Sequence, residues 1–512
     1  MLTYLWKKLT SSETSTSAGP AYLRTPNDLK QRMDRYFTYG INNTVLHLYI
    51  SQPDEQRLPG SNAWFGTEFD RNNIWFKQMD LYTTYIKRCN YMMRQGWYQS
   101  DVAYFIGEDT PKMVGIMEPW IPAGYQFEHI NAEVILNSLE TKNGRLTLPH
   151  GISFKVLVLP HTLRTMRPEL LQKIEKLIAA GGIVMGPAPE KSPSLENQPE
   201  ADLKVKDLSR KIWGDIDGVK IKQRKYGKGM VCYGLSFEEL FTQLNYVPDC
   251  KVPEGINIYQ GHQKDGNTDI YILSNQEDRA VTMNVAFRVT GKQPELWEPI
   301  NGNIRKLPAY VYKNNTTIVP MKLEKGECVF VVFRKKGKAT SLTLADNYPA
   351  PTFIKPIKHK WHISFESAFK NPQSVLTDSL DDLSKSSNDS IKYFSGTATY
   401  TTETRVKKAV QGERTYLCFE QIGTMAKVYI NGQYAGGVWT IPYKLDITDF
   451  VKEGVNRIKI EVVNTWVNRL IGDLNLPEEE RQTYCFINPY TKNSSLPPSG
   501  IIGNVWLEYI NF

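Results

Sequence analysis

The chain has 512 residues, which is more than one hydrophobic core usually organises, so we expect three or four domains. Hydrophobic residues make up 41% of the chain and charged residues 23%, values that are typical of globular proteins and argue against extended disorder. The net charge of +8 comes from Lys and Arg residues spread along the whole chain among acidic residues, and this pattern does not indicate nucleic-acid binding.

The sequence carries no signal for export, membrane insertion or a zinc site. The first twenty residues contain no apolar run of signal-peptide shape, and a run of about 18 apolar residues, as a membrane span needs, occurs nowhere. The six cysteines are far apart and lack zinc-ligand spacing. We therefore predict no membrane span and expect most cysteines to be buried free thiols.

The N-terminal segment, residues 1–99, predicts two strand–loop–helix units. Two such units do not form a domain, because open parallel strands need neighbours on both edges. We therefore expect this segment to be the C-terminal portion of a (β/α) barrel whose earlier strands are missing. Alternation in the second strand predicts that His47 and Tyr49 face the barrel axis, while Leu46 and Leu48 face the outer helices.

Residues 100–250 alternate between strand and helix patterns and predict a flavodoxin-like α/β domain with a doubly wound sheet. The run Phe154–Leu159 has the continuous hydrophobicity of a buried parallel strand. A helix is predicted to begin at Pro168 and to end before Gly181. No glycine-rich phosphate-binding motif follows these strands, so a nucleotide ligand is not expected.

The remaining chain has mainly β patterns. Residues 251–336 predict a small antiparallel β-sandwich, because short strands alternate with Gly, Asn and Lys. Residues 337–390, which include a Ser- and Asp-rich run, are predicted to be a connector. Residues 391–512 predict a terminal β-sandwich of the jelly-roll type. The predicted fold is therefore multi-domain, with α/β units followed by all-β domains.

The abundance of aromatic residues, with 28 Tyr and 11 Trp, suits a carbohydrate ligand. The apolar face of a sugar ring stacks on an aromatic plane, and polar groups around it bind the hydroxyls. The candidate sugar-binding residues are His47, Tyr49, Trp64, Phe65, Trp439 and Tyr443. A satisfied core histidine is an alternative interpretation of His47, and packing in the sandwich core or docking on the barrel is the alternative for Trp439 and Tyr443.

Two glutamates are candidate catalysts, since glycosidic bonds are usually cleaved by a pair of carboxyl groups. Glu13 ends the first predicted strand, a position at the mouth of a barrel. Glu68 follows Trp64 and Phe65, and apolar neighbours raise the pKa of a carboxyl group, as a general acid requires. The alternatives are an exposed loop glutamate for Glu13 and an ion pair with Arg71 for Glu68.

Hard oxygen ligands also occur close together in Asp70, Asn72 and Asn73. The cluster is too short to match an EF-hand calcium loop. We therefore assign no metal ligand from the residues alone.

The N-terminal segment contains SSETSTSAGPAYLRTPNDL, PGSNAWFGTEFDRNNIWF and CNYMMRQG, and later segments contain PELWEPINGNIRKL and VYINGQYAGGVW. These stretches resemble glycoside hydrolase family 106, the α-L-rhamnosidases, and the resemblance extends through the whole chain. The terminal stretch is also similar to the galactose-binding-like sandwich of glycoside hydrolase family 2.

The resemblance implies an inverting hydrolase in which two glutamates act as acid and base, with Glu13 at the place of the base. It also implies calcium near the sugar, a rhamnose-containing oligo- or polysaccharide as partner, and export of full-length relatives. The chain begins where a barrel is nearly complete, so we expect the partner acid to be missing and the chain alone to have little activity. A truncated piece of an active enzyme and a natural short product both stay open.

Two other functions stay open at this point. The terminal sandwich alone would serve a non-catalytic carbohydrate-binding protein. The likeness to glycoside hydrolase family 2, together with the α/β middle domain, is compatible with a β-galactosidase-like glycosidase. Substrate profiling of an intact homologue separates the β-galactosidase-like function from rhamnoside hydrolysis.

Overall fold

The computed structural model describes residues 8–16, 18–108, 117–407 and 410–512. No helix in these ranges has the length and apolar character needed to cross a membrane. The six cysteines are free, and all except the half-exposed Cys485 are buried, as predicted.

The N-terminal segment contains two strand–helix units joined through one parallel strand pair. Its elements are β1 (Ser11–Ser12), α1 (Pro26–Thr38), β2 (Asn43–Thr44), β3 (Pro59–Gly60), two 3-10 helices (Thr67–Phe69 and Ile74–Gln78) and α2 (Met79–Met93). β1 and β2 pair in parallel, with Ser11 opposite Asn43. Helix α1 begins with Pro26 in its first turn and buries Leu29, Met33 and Phe37 along one stripe.

The second strand is shorter than predicted. Only Asn43–Thr44 pairs with a neighbour, and the chain continues from residue 45 without a strand partner among the described residues. The predicted alternation of side chains holds in part, because Leu46 packs against the core around α2, whereas Val45 and Tyr49 are exposed.

The middle segment is built on a six-stranded sheet flanked by helices. Its elements are β4 (Trp97–Tyr98), β5 (Val102–Phe105), β6 (Phe127–Ile130), α3 (Ala132–Asn137), β7 (Glu140–Lys142), β8 (Arg145–Thr147), β9 (Ser153–Phe154), β10 (Val156–Val158), α4 (Pro168–Ala179), β11 (Ile183–Met185), α5 (Glu200–Trp213), β12 (Gln223–Tyr226), β13 (Gly229–Cys232) and α6 (Phe237–Gln243). The sheet order is β12-β13-β11-β10-β5-β6, parallel except for β12. β7, β8 and β9 form a separate small sheet.

The next segment is a small antiparallel sandwich. Its strands are β14 (Cys250–Lys251), β15 (Ile258–Asp265), β16 (Thr268–Asn275), β17 (Val281–Phe287), β18 (Lys292–Trp297), β19 (Ile304–Lys306), β20 (Val311–Lys313), β21 (Thr316–Leu323) and β22 (Cys328–Lys336), followed by α7 (Leu344–Asn347). The two sheets have the orders β14-β17-β21-β20 and β19-β18-β22-β16-β15-β4. The earlier strand β4 therefore joins this sandwich at its edge.

The terminal sandwich begins before the position that the sequence predicts. Its elements are β23 (Phe353–Pro356), β24 (Trp361–Glu366), β25 (Val375–Thr377), a 3-10 helix (Leu383–Lys385), α8 (Asp389–Lys392), β26 (Thr397–Val406), β27 (Glu413–Gly423), β28 (Met425–Ile430), β29 (Gln433–Val438), β30 (Lys444–Asp446), β31 (Gly454–Val463), α9 (Val467–Asp473), a 3-10 helix (Glu478–Glu480), β32 (Tyr484–Cys485) and β33 (Gly500–Asn511). The sheets have the orders β23-β33-β27-β30 and β25-β24-β26-β31-β28-β29.

The predicted connector, residues 337–390, therefore contributes three strands to the terminal sandwich. β24 pairs with β26, and β23 pairs with the last strand, β33. The alternating residues Trp361, Ile363 and Phe365 of β24 are buried in the core of the sandwich. This period-2 pattern is the signal of a strand, although the polar Ser- and Asp-rich run that follows obscures it.

A buried charge network joins the middle segment to the small sandwich. Arg288 donates to Asp101 at 2.6 Å and to Asp249 at 3.0 Å. The His262 ring lies between two carboxylates, with Nδ1 3.1 Å from Asp249 Oδ2 and Nε2 3.4 Å from Asp269 Oδ1. Each carboxylate also faces a further cation, so the junction is held by paired charges.

This network predicts a pH-dependent stability. Burial alone would lower the pKa of His262, but the carboxylates of Asp249 and Asp269 outweigh it and raise the pKa. The charged imidazole therefore stabilises the fold fully below the unfolded pKa of about 6.5, and this contribution is lost as the pH rises through the higher folded pKa. We expect the free energy of unfolding to fall over that interval, by about 1.4 kcal/mol for each pH unit between the two pKa values. Urea unfolding at a series of pH values should show a flatter profile for His262→Gln, and parallel profiles would contradict the assignment.

Candidate active site

Glu13 lies directly after β1, at the end of the parallel strand pair. Its side chain is 55% exposed, and its Oε2 is 3.8 Å from His47 Nδ1. Thr16 Oγ1 donates to Glu13 Oε2 at 3.3 Å and lies 3.1 Å from the carbonyl oxygen of His47. An exposed carboxylate beside a histidine on the neighbouring chain segment is an arrangement that can accept a proton from water.

The loop that follows Glu13 is held by side chains from both helices. Arg32 of α1 donates to the carbonyl oxygens of Thr14 and Thr16, each at 3.0 Å. Tyr82 of α2 hydrogen-bonds to Ser15 at 3.1 Å. These contacts fix the backbone beside Glu13 before any ligand binds, which is the condition for a preorganised site. Arg32 could not be singled out from the sequence, because a charged residue on an amphipathic helix has no pattern that separates it from surface charges.

Aromatic side chains extend the surface next to His47. The His47 ring stacks on Phe65 with centroids 5.7 Å apart and an interplanar angle of 8°. Trp64 meets Phe65 edge-on at 4.7 Å and is 65% exposed. Tyr49 is also exposed, and its contact with Arg71 raises the pKa of that guanidinium. Glu13, His47, Phe65 and Trp64 thus form one continuous surface.

The prediction that Glu68 is a catalytic acid is wrong, and so is Arg71 as the partner in the alternative ion pair. Glu68 is only 1% exposed, so it has no surface from which to protonate a glycosidic oxygen. Its carboxylate is paired with Arg24 and not with Arg71. Burial raises the pKa of Glu68, although Arg24 opposes the shift. Arg24 also donates to the carbonyl oxygen of Ala18, so Glu68 acts through Arg24 on the loop after Glu13.

Two predicted sugar-binding residues of the terminal sandwich lie elsewhere. Trp439 is 3% exposed and packs edge-on against Tyr82 and Tyr85 of α2. It therefore docks the sandwich on the N-terminal segment and has no face free for a sugar. Tyr443 is half-buried against the core of the sandwich, and burial raises its pKa.

The predicted hard oxygens do not fit a calcium ion. Both oxygens of Asp70 accept hydrogen bonds at 2.7 Å, from Gln52 Nε2 and from the backbone N–H of Asn72. Within the described ranges, no three His, Cys, Asp or Glu side chains come together as a metal site would require. Calcium takes six to eight oxygen ligands, and a carboxylate already bound to two donors is poorly suited to it.

Two family models match the chain. The family model for alpha-L-rhamnosidase, glycoside hydrolase family 106, matches residues 4–312. A second model, the glycosyl hydrolase 2 galactose-binding domain-like family, matches residues 358–488. Both matches follow the order of the domains seen in the structure.

A solved structure of a rhamnosidase from Novosphingobium sp. PP1Y superposes with a TM-score of 0.91 and 32% identity, over 99% of this chain and 48% of that chain. A Formosa agariphila protein named "Putative beta-glucuronidase" is 34% identical over 62% of this chain and 26% of its own length. A beta-galactosidase from Thermoanaerobacter pseudethanolicus is 32% identical over 21% of this chain and 13% of its own length.

The chain thus spans about half of the solved rhamnosidase and about a quarter of the Formosa relative. The match to the rhamnosidase model nevertheless covers more than half of this chain and includes Glu13, His47 and the aromatic surface. The chain therefore belongs to glycoside hydrolase family 106, the α-L-rhamnosidase family.

Proposed function

We propose that this chain supplies the general base, Glu13, of an active site that hydrolyses α-L-rhamnosides. The observation that carries the proposal is the exposed Glu13 carboxylate, 3.8 Å from His47 Nδ1, beside the aromatic surface of Phe65 and Trp64. A carboxylate at the end of a parallel strand, next to a stacking surface, is the arrangement that a glycosidase requires.

In this mechanism, Glu13 removes a proton from water as the water oxygen attacks the anomeric carbon, and the bond to the leaving oxygen breaks. Thr16 orients one carboxylate oxygen by donating to it. His47 Nδ1 is buried, makes no hydrogen bond to any described residue and lies 3.8 Å from Glu13 Oε2, so the ring lies against the carboxylate and supports its position. Attack opposite the leaving group inverts the anomeric centre.

A second carboxyl group must protonate the leaving oxygen in such a reaction. Glu68 is too buried for this role, and we assign the acid to a part of the enzyme outside residues 1–512. The chain spans 48% of the solved rhamnosidase, which supports a larger enzyme. We therefore expect low activity of this chain alone on substrates with poor leaving groups.

We also propose a fold for three of the segments. The parallel pair β1–β2 with helices α1 and α2 supports the end of a (β/α) barrel in residues 1–99. The parallel strands β6-β5-β10-β11-β13 follow the order 2-1-3-4-5 of flavodoxin-like domains, which supports that fold for residues 100–250. We propose a galactose-binding-like jelly roll for the terminal sandwich, which begins at about residue 353.

The test is the release of rhamnose by the purified 512-residue chain from two substrates. Dinitrophenyl α-L-rhamnoside has a leaving group that needs no proton, whereas methyl α-L-rhamnoside has one that does. We expect slow release from the first, with the β-anomer of rhamnose formed initially, and almost none from the second. Release of sugar from an aryl β-galactoside instead would favour the β-galactosidase-like alternative. If the chain neither hydrolyses nor binds any rhamnoside, the proposal is refuted.

A further inference from the structure

A loop of the terminal sandwich, residues 484–490, lies against the segment that carries Trp64. Strand β32 pairs in parallel with β3, so that Tyr484 lies opposite Pro59 and Cys485 opposite Gly60. The backbone N–H of Tyr484 also donates to Leu58 O at 2.7 Å. Two segments separated by more than 400 residues thus share a short sheet.

A buried asparagine extends this contact beyond the paired strands. The Asn62 side chain donates to Ile487 O at 2.9 Å and accepts from the Ile487 backbone N–H at 2.8 Å. Further along, the hydroxyl of Tyr490 donates to Ala21 O in the loop that follows Glu13. The loop 484–490 is therefore attached both to the aromatic segment and to the Glu13 loop.

The terminal sandwich also holds this loop firmly from behind. The buried Asp473 accepts hydrogen bonds from Gln482 and Thr483, which lead into the loop, at 2.7 to 2.9 Å. Cys485 packs against a small apolar cluster formed by Tyr22 and Trp466. Because this loop is already ordered before a ligand binds, binding to it costs little conformational entropy.

The fixed loop presents large apolar side chains to solvent, and Phe486 is the most exposed of them, since Tyr484 and Ile487 are each 37% exposed. Phe486 lies between Cys485 and Ile487, the two attached residues, and is 69% exposed. Trp64, two residues beyond Asn62, is 65% exposed. Exposed aromatic side chains on rigid supports are typical of stacking sites for ligands.

We propose that Phe486 and Trp64 together form a subsite for the group to which the rhamnose is attached, and that the terminal sandwich thereby helps to select the substrate. The surface runs from Glu13 through His47 and Phe65 to Trp64, and the loop that carries Phe486 is hydrogen-bonded through Ile487 to Asn62, two residues before Trp64. The group bound here has a flat apolar face, as a neighbouring pyranose or an aromatic aglycone has. This inference rests on the proposed function, because it takes Glu13 to mark the cleaved bond.

The experiment measures binding to the 512-residue chain by titration calorimetry with three ligands: free rhamnose, a rhamnosyl-glucose disaccharide and an aryl α-L-rhamnoside. The disaccharide and the aryl rhamnoside distinguish a sugar from an aromatic occupant. We expect Phe486→Ala to weaken binding of at least one extended ligand about tenfold, with free rhamnose unchanged. Phe486→Trp should restore the affinity, and Phe353→Ala, which removes another exposed phenylalanine of the terminal sandwich, should have no effect.

Three results would overturn the inference. If the wild-type chain binds the extended ligands and Phe486→Ala binds them equally well, the subsite is wrong while the proposed function stands. If the wild-type chain binds free rhamnose but neither extended ligand more tightly, the subsite is again wrong. Absence of binding by all three ligands would refute both this inference and the function on which it rests.

Discussion

Replacing Glu13 by Gln is expected to reduce hydrolysis of an activated aryl rhamnoside by between about 100-fold and 10,000-fold, the usual contribution of a general base. Gln has nearly the same shape and can keep a contact with Thr16, but it cannot take a proton from water. The Michaelis constant should change little, because the substitution removes an interaction needed only in the transition state. Initial rates of dinitrophenolate release over a range of substrate concentrations provide the measurement.

Azide offers a further check on the role of Glu13. In Glu13→Ala, an azide ion can enter the space left by the side chain and attack the anomeric carbon without loss of a proton. Formation of β-rhamnosyl azide would identify Glu13 as the group that activates water. Glu55→Gln, in an exposed glutamate of the same segment, is the control and should keep full activity. Unchanged turnover in Glu13→Gln would remove this residue from the mechanism.

Local patterns in the sequence singled out Glu13, His47 and Trp64 as separate candidates, since each lies in or near a predicted strand, and only the contacts in the structure join them into one surface. The partner of Glu68 could not be predicted in the same way. Arg71 is close to Glu68 in sequence, whereas Arg24, its observed partner, precedes it by 44 residues. Which of two arginines meets a buried carboxylate depends on tertiary packing, and neither spacing nor composition reports it.

The contacts between distant segments also could not be predicted from patterns in the sequence. Trp439 belongs to a β-strand pattern that fits either a sugar platform or a core, and only the position of α2 decides between them. β32 is two residues long and pairs with β3, more than 400 residues earlier. So short a strand has no detectable period, which is why the role of the loop 484–490 emerged only from the structure.

A large effect on stability is expected for Lys30→Met. Lys30 Nζ lies 2.6 Å from Asp34 Oδ2 and donates to Gly326 O at 2.7 Å, and both side chains of the pair are buried between α1 and the small sandwich. The hydroxyl of Tyr85 donates to the other oxygen of Asp34. Removal of Lys30 leaves a buried carboxylate without its cation, and such changes cost about 3–5 kcal/mol. Urea unfolding followed by tryptophan fluorescence measures the loss, and Lys204→Met, in an exposed lysine of α5, is the control.

The pH dependence of this variant follows from the same pair. Burial raises the pKa of Asp34, and Lys30 is the group that opposes the shift most strongly. Without Lys30, Asp34 has to remain protonated in the folded state, so the variant loses stability as the pH rises above about 3.9, the unfolded pKa of Asp. The triple variant Lys30→Met, Asp34→Leu, Tyr85→Phe should recover most of the stability, because it leaves no charged group of this network unpaired. A Lys30→Met variant that loses no more stability between pH 5 and pH 8 than the wild-type chain does would show that Asp34 is solvated and that α1 does not seal it against the sandwich.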